Sequence, residues 1–166
     1  GFEQADTRLQ GVVPLYGKYD LLSESRPDEH FADYMATKVM PGTREAHAAL
    51  WRAMQPTSHL GKLDAAEAPP FLVLHGTHDV LIPLAEARWF VEQLRARYPG
   101  EVVYAELPYA QHGWDVPHSP RADRTVEALQ RYLELQYTRW CARQGIAPTP
   151  GEAATGQPEP LSPKAA

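Results

Sequence analysis

Apolar positions along the chain fall into two kinds of pattern: short unbroken runs, and longer stretches in which apolar residues recur every three or four positions. FLVL, residues 71–74, is unbroken and predicts a parallel strand covered on both faces. GVVPLYG, residues 11–17, and EVVYAEL, residues 101–107, predict two more strands. Pro14 should disturb the first, because proline cannot donate to a sheet ladder. Between residues 28 and 40, Phe31, Tyr34, Met35 and Val39 keep helical spacing behind Asp28, a natural N-cap, and Pro41-Gly42 stops the run. Thr43 is placed to cap a second helix with Ala46, Ala49, Leu50, Ala53 and Met54 on one face, ending before Pro56. A third helix opens near Pro83, with Ala87, Phe90, Val91, Leu94 and Tyr98 on one face. A long fourth helix opens with Ser119 as N-cap and Pro120 as its first residue, and lines up Val126, Leu129, Leu133 and Trp140.

The order is therefore strand, two helices, strand, helix, strand, long helix. Alternation of this kind predicts an α/β fold, a parallel sheet with helices on its faces, and makes residues 20–60 a helical insertion between two strands. Residues 145–166 differ from the rest, with five prolines, three glycines and no aromatic residue. Such a stretch buries too little apolar surface to offset its ordering entropy and is expected to be disordered, leaving 1–144 as the folded part. There is no internal repeat.

Composition narrows the function classes. A length of 166 residues suits one domain, and 43% hydrophobic content with four tryptophans suits a globular one. A net charge of −5 argues against a nucleic-acid partner, since phosphate binding needs a basic surface. Cys141 is the sole cysteine, so neither a disulfide framework nor a multi-cysteine zinc site is available, which fits a reducing compartment such as the cytoplasm. No apolar run approaches the roughly 20 residues of a membrane helix.

In an open α/β sheet, reactive groups collect beyond the carboxyl ends of the strands. Asp79 stands three residues past the strand at 71–76, in LHGTHDVLIP, and His112 lies in PYAQHGWD after the strand at 101–107. Adjacent strands would thus bring a carboxylate and an imidazole to one edge. An Asp that accepts from one ring nitrogen sets the histidine tautomer and frees the other nitrogen to act as a base.

LHGTHDVLIP, followed 33 residues after its Asp by the His of AQHGWD, resembles the C-terminal half of an α/β-hydrolase of the esterase/lipase type. The likeness covers roughly residues 3–140, with YGKYD (16–20) resembling the end of the sixth strand and PTSHL (56–60) the segment before the seventh. It implies the last three strands of the fold with their helices, Asp79 as catalytic acid, His112 as base, an ester substrate and no cofactor. The resemblance is incomplete. That family places its nucleophile in G-x-S-x-G, and Ser23, Ser25, Ser58, Ser119 and Ser162 all lack the flanking glycines. The expectation is a fragment beginning just before the sixth strand, whose nucleophile and oxyanion hole belong to a missing N-terminal half. An unpaired edge at residues 11–16 would then favour pairing with that half or with a second copy, a homo-oligomer.

Less specific readings compete at each position. Asp79 could be an ordinary turn residue and His112 a surface histidine. His75, His78 and Asp79 form an H-x-x-H-D string, but a strand end and turn do not share a face as a helical zinc pair does, so no metal is expected. Phe31, Met35, Trp51 and Met54 of the insertion are expected in its core more than in a pocket. Trp114, two residues after His112, is a candidate substrate-binding residue or a shield for the imidazole. The function that fits is ester hydrolysis by a serine hydrolase. A prolyl-oligopeptidase-type peptidase and a non-catalytic scaffold that binds a partner are the alternatives.

Overall fold

In the computed structural model, which describes residues 3–6, 8–62 and 64–149, the run FLVLHG forms strand β1, Phe71–Gly76. Five of its six residues are buried, His75 among them, as the unbroken apolar pattern requires. β2, Val102–Leu107, lies parallel to it in a register running from Phe71 opposite Val102 to Gly76 opposite Leu107.

The GVVPLYG segment runs parallel along the other edge of β1, yet it is not a regular strand. Val12 donates to Pro70 O at 2.9 Å, Leu72 to Val12 O at 2.9 Å, Leu74 to Pro14 O at 3.1 Å and Tyr16 to Leu74 O at 3.0 Å. The rung absent from this series is the one that a Pro14 N–H would donate, so isolated bridges at Val12 and Leu15 are what remains. β1 is thus flanked on both edges, and the alternation of a parallel ladder turns the backbone groups of Val13 and Leu15 away from it.

Between β1 and β2 the chain crosses through α3, Leu84–Arg97. Its whole expected face is buried: Ala87, Phe90, Val91, Leu94 and, just past the end, Tyr98 pack with Val73 and Tyr19 in the main core. Tyr19 and Phe90 stack with ring centroids 4.2 Å apart.

The insertion carries α1, Glu29–Lys38, and α2, Ala48–Met54, followed by a 3₁₀ turn, Pro56–His59. Asp28 caps α1 by accepting from Phe31 N. Here two expectations need correction. Thr43 caps a turn ahead of α2, through Ala46 N, and the helix itself starts after His47. Moreover, α2 turns Trp51 fully inward, against Met35 and Met40, and leaves Leu50 and Met54 of the expected face exposed. An indole buries about 150–250 Å², which outweighs a stripe made mostly of alanine. On α1, Met35 is buried while Tyr34 and Val39 are exposed.

The last helix, α4, Pro120–Gln144, is capped by the Ser119 hydroxyl, which accepts from Ala122 N at 3.1 Å. Its rotation is also not the expected one. Ala122, Thr125 and Gln136 are buried, whereas Val126 and Leu133 are 53% and 54% exposed. Contact of Ala122 with Ala110 and Trp114 sets this rotation at the first turn. The helix stops at Gly145, φ 68°, a left-handed position that suits glycine. Residues 150–166 of the Pro/Gly-rich stretch lie outside the described residues, as does the disorder expected of them.

Between Tyr16 and α1 the backbone is held by side chains instead of a ladder. Glu86, fully buried in the first turn of α3, accepts from Tyr19 N at 2.7 Å and Asp20 N at 2.8 Å through one oxygen. Its other oxygen takes Lys18 Nζ at 2.7 Å, and Lys18 also reaches Asp28 at 2.9 Å. Gln55, itself buried, accepts from Leu21 N at 2.7 Å, and Asp20 accepts from Glu24 N and Ser25 N. A buried amide without a partner costs about 1–3 kcal/mol, so these side chains fix the path from the sheet into the insertion.

Candidate active site

The loops after β1 and β2 are stitched together before any side chain is considered. Thr77 N donates to Leu107 O and His78 N to Ala110 O, both at 3.0 Å, while the Thr77 hydroxyl accepts from Tyr109 N at 2.8 Å. Gly76 allows this approach, because a Cβ there would run into the Ala110 carbonyl. Gly76→Ala is therefore expected to lower stability by about 1–3 kcal/mol, the usual range for overpacking. A denaturant midpoint equal to that of the parent would contradict this.

Within that frame the Asp79 carboxylate is fully buried and held from two sides. One oxygen accepts from Leu81 N at 2.9 Å and Ile82 N at 2.8 Å, an Asx-type turn that locks the side chain's orientation. The other oxygen faces His112 Nδ1 at 3.0 Å. Because a carboxylate can only accept, Nδ1 is the donor in this contact, and in the neutral ring that leaves Nε2 with its lone pair. The His112 side chain is 31% exposed, so the pair has one member sealed and one open to solvent.

A second histidine reaches the same carboxylate oxygen. His75 Nε2 lies 3.5 Å from it, but 2.8 Å from Ile82 O, to which it donates. His75 is wholly buried and is a structural neighbour of Asp79, where sequence reading had weighed it as a metal ligand. His78 is exposed and sits beside Tyr109, with Nδ1 on the Thr77 hydroxyl. The H-x-x-H-D string is thus split between the core and the surface.

Trp114 is 5% exposed, packed with Ala110 and Ala122. Burial on this scale is what a shield for the imidazole requires. Two of the serines have structural partners: Ser25 donates to Asp20 at 2.6 Å and Ser119 caps α4.

Tyr16 was not singled out from the sequence, although it ends the third segment at the same edge of the sheet. Its ring lies 4.5 Å from that of His112, and its hydroxyl donates to Asp115 at 2.8 Å. That hydrogen bond first, then burial, raise the phenol above its ordinary value and keep it a donor. The rule that found Asp79 and His112, attention to strand carboxyl ends, would have nominated it. Glu86 and Gln55 gave no comparable signal.

Similarity to known proteins bears on the family and the fold. Residues 2–94 match the BD-FAE family model. The probable carboxylic ester hydrolase LipM of Mycobacterium tuberculosis is 39% identical over 154 residues, 92% of this chain and 34% of that protein. Esterase LipC of the same organism is 38% identical over 132 residues, 79% of this chain and 32% of that protein. The chain spans about a third of the length of these curated relatives. Among solved structures, a bifunctional GH43-CE protein of Bacteroides eggerthii superposes with a TM-score of 0.53 at 22% identity, over 75% of this chain and 17% of that one. A truncated carbohydrate esterase from gut microbiota gives 0.53 at 16%, over 74% and 42%. At those identities the two structures speak for the fold alone. A parallel sheet with helices, an acid and a histidine on adjacent strand ends, and a family model matched over more than half of the chain lead to one assignment: the chain belongs to the BD-FAE family of esterase-type α/β-hydrolases.

Proposed function

We propose that the whole protein hydrolyses carboxylic esters through a serine nucleophile, and that this chain supplies the acid, Asp79, and the base, His112. The observation that carries the reading is the 3.0 Å contact of His112 Nδ1 with an Asp79 oxygen whose partner oxygen is already held by two amides. His112 Nε2 takes the serine proton as the oxygen attacks the ester carbonyl, and returns it to the leaving alcohol. Water then enters by the same route and releases the acid. Asp79 stabilises the imidazolium that forms in each half. Trp114 serves as an apolar backing to this loop, which keeps water off the buried side of the histidine. The nucleophile and oxyanion donors come from the remainder of the protein, whose strands pair along the edge presented by Val13 and Leu15. The names of the relatives, carboxylic ester hydrolase and esterase, support the same reaction class, and the substrate proposed is a small-molecule ester.

The test compares a short p-nitrophenyl acyl ester with an Xaa-Pro amide, using the whole protein. Ester cleavage well above amide cleavage is expected. A strong amide preference would move the assignment to a peptidase, and no hydrolysis of either would move it to a binding scaffold.

A further inference from the structure

Tyr16 meets the histidine loop at two points. Its ring lies against the His112 imidazole, with centroids 4.5 Å apart and planes inclined at 57°. Its hydroxyl donates to Asp115 Oδ1 at 2.8 Å, three residues further along the same loop. One side chain therefore touches the imidazole and grips the loop beyond it. The backbone supplies an independent observation. Tyr16 has φ 38°, a left-handed value that residues with a Cβ avoid, while its N–H still donates to Leu74 O at 3.0 Å. Conformations of that kind persist where the surroundings hold them and collect at functional sites. An extended backbone would continue the 11–16 segment and carry the ring elsewhere.

The imidazole has few other constraints among the described residues. Asp79 holds Nδ1, His75 reaches Asp79 and not the ring, and Asp115 acts through the phenol. A single hydrogen bond at Nδ1 leaves the ring free to swing about that contact, and a wall against its face removes this freedom.

We propose that Tyr16 is the positioning residue of His112: its ring sets the plane of the imidazole and its hydroxyl fixes the loop through Asp115. The proposal rests on His112 being the general base. The experiment uses the whole protein with Tyr16→Phe, Tyr16→Leu, Asp115→Ala, the Tyr16→Phe/Asp115→Ala double variant and His112→Ala. The readouts are kcat and KM on a p-nitrophenyl ester, and the downfield proton resonance of an imidazole N–H bonded to a carboxylate, identified by its loss in His112→Ala.

Tyr16→Phe keeps the wall and loses the tether, so kcat falls about threefold, the scale of one modest hydrogen bond. Its KM and the resonance stay as in the parent. Asp115→Ala gives the same fall, and the double variant is no worse than either single one, because all three remove one interaction. Tyr16→Leu loses the wall, and kcat falls on the order of 100-fold, as misplacement of a reacting group by about 1 Å does. The resonance broadens or disappears in that variant, with KM little changed. A role in packing alone would lower the melting temperature and leave the resonance and the kcat-against-KM pattern untouched. If Tyr16→Leu retains parental kcat and resonance while His112→Ala abolishes hydrolysis, the positioning role is overturned and the base stands. If His112→Ala still hydrolyses the ester, the base reading fails and takes this proposal with it. Should Tyr16→Leu not fold, the other variants decide, since additive losses in the double variant would overturn the tether.

Discussion

On the proposed reading of His112 as the general base, His112→Ala in the whole protein is expected to lower kcat on a short acyl ester by about 10⁴-fold or more, with the fold intact. The magnitude is that of removing a general base from a nucleophile–base–acid set, where the members act as a unit and the loss of one approaches the loss of all. The fold should survive because His112 is a third exposed and, among the described residues, its side chain bonds to Asp79 alone. Asp79→Asn is the sharper companion. Asparagine can keep the oxygen that accepts from Leu81 N and Ile82 N, so the turn remains. In place of the second carboxylate oxygen it presents an amide NH₂ to His112 Nδ1, which favours the tautomer protonated on Nε2 and removes the base. A loss of about 10⁴-fold is expected from that change. Asp79→Ala would mix this effect with a stability loss of about 1–3 kcal/mol from the two released amides. Initial rates on the p-nitrophenyl ester, with circular dichroism as the control for folding, check both. Parental rates in either variant would remove the pair from the reaction.

The largest stability effect is expected away from the chemistry, at Glu86. Glu86→Ala should destabilise the protein by about 3–5 kcal/mol, the usual consequence of removing one partner of a buried ion pair. The physical reason is specific. One oxygen of Glu86 satisfies Tyr19 N and Asp20 N, in a segment with no ladder of its own, and the other balances Lys18. Asp28 still neutralises Lys18 at 2.9 Å, which limits the loss. Glu86→Gln keeps an acceptor for the two amides and gives up the charge, so about half the loss is expected, in line with a hydrogen bond to a charged group. Urea denaturation of the whole protein measures both. A midpoint for Glu86→Ala equal to the parent's would mean that water replaces the carboxylate at no cost, and the fully buried position makes that a stringent test.

Much of this architecture can be read from local pattern. β1, β2 and α3 follow from an unbroken apolar run, a second short run and a clean helical face, and all five expected residues of that face are buried. The caps at Asp28 and Ser119 were equally legible, because a cap is a contact over three residues. The faces of α2 and α4 were not, since the spacing of apolar residues identifies a helix but its rotation follows the largest or closest-fitting contact, here Trp51 and Ala122. Pro14 announced a disturbance without showing that it would cost one rung and keep the segment in place beside β1.

For the site, position along the chain nominated Asp79 and His112, since both stand just past a strand's carboxyl end, and a strand end is visible locally. Which histidine takes the carboxylate was decided by the tertiary structure: His75 and His112 lie 3.5 and 3.0 Å from one oxygen, one sealed and committed to a carbonyl, the other open. The partners of Tyr16 and Glu86 were likewise decided there, across 99 and 67 residues of chain. Propensity, periodicity and capping act between near neighbours and leave their mark in a short window. Contacts of that range depend on how strands order in a sheet and how helices rotate against it, and no short window records either.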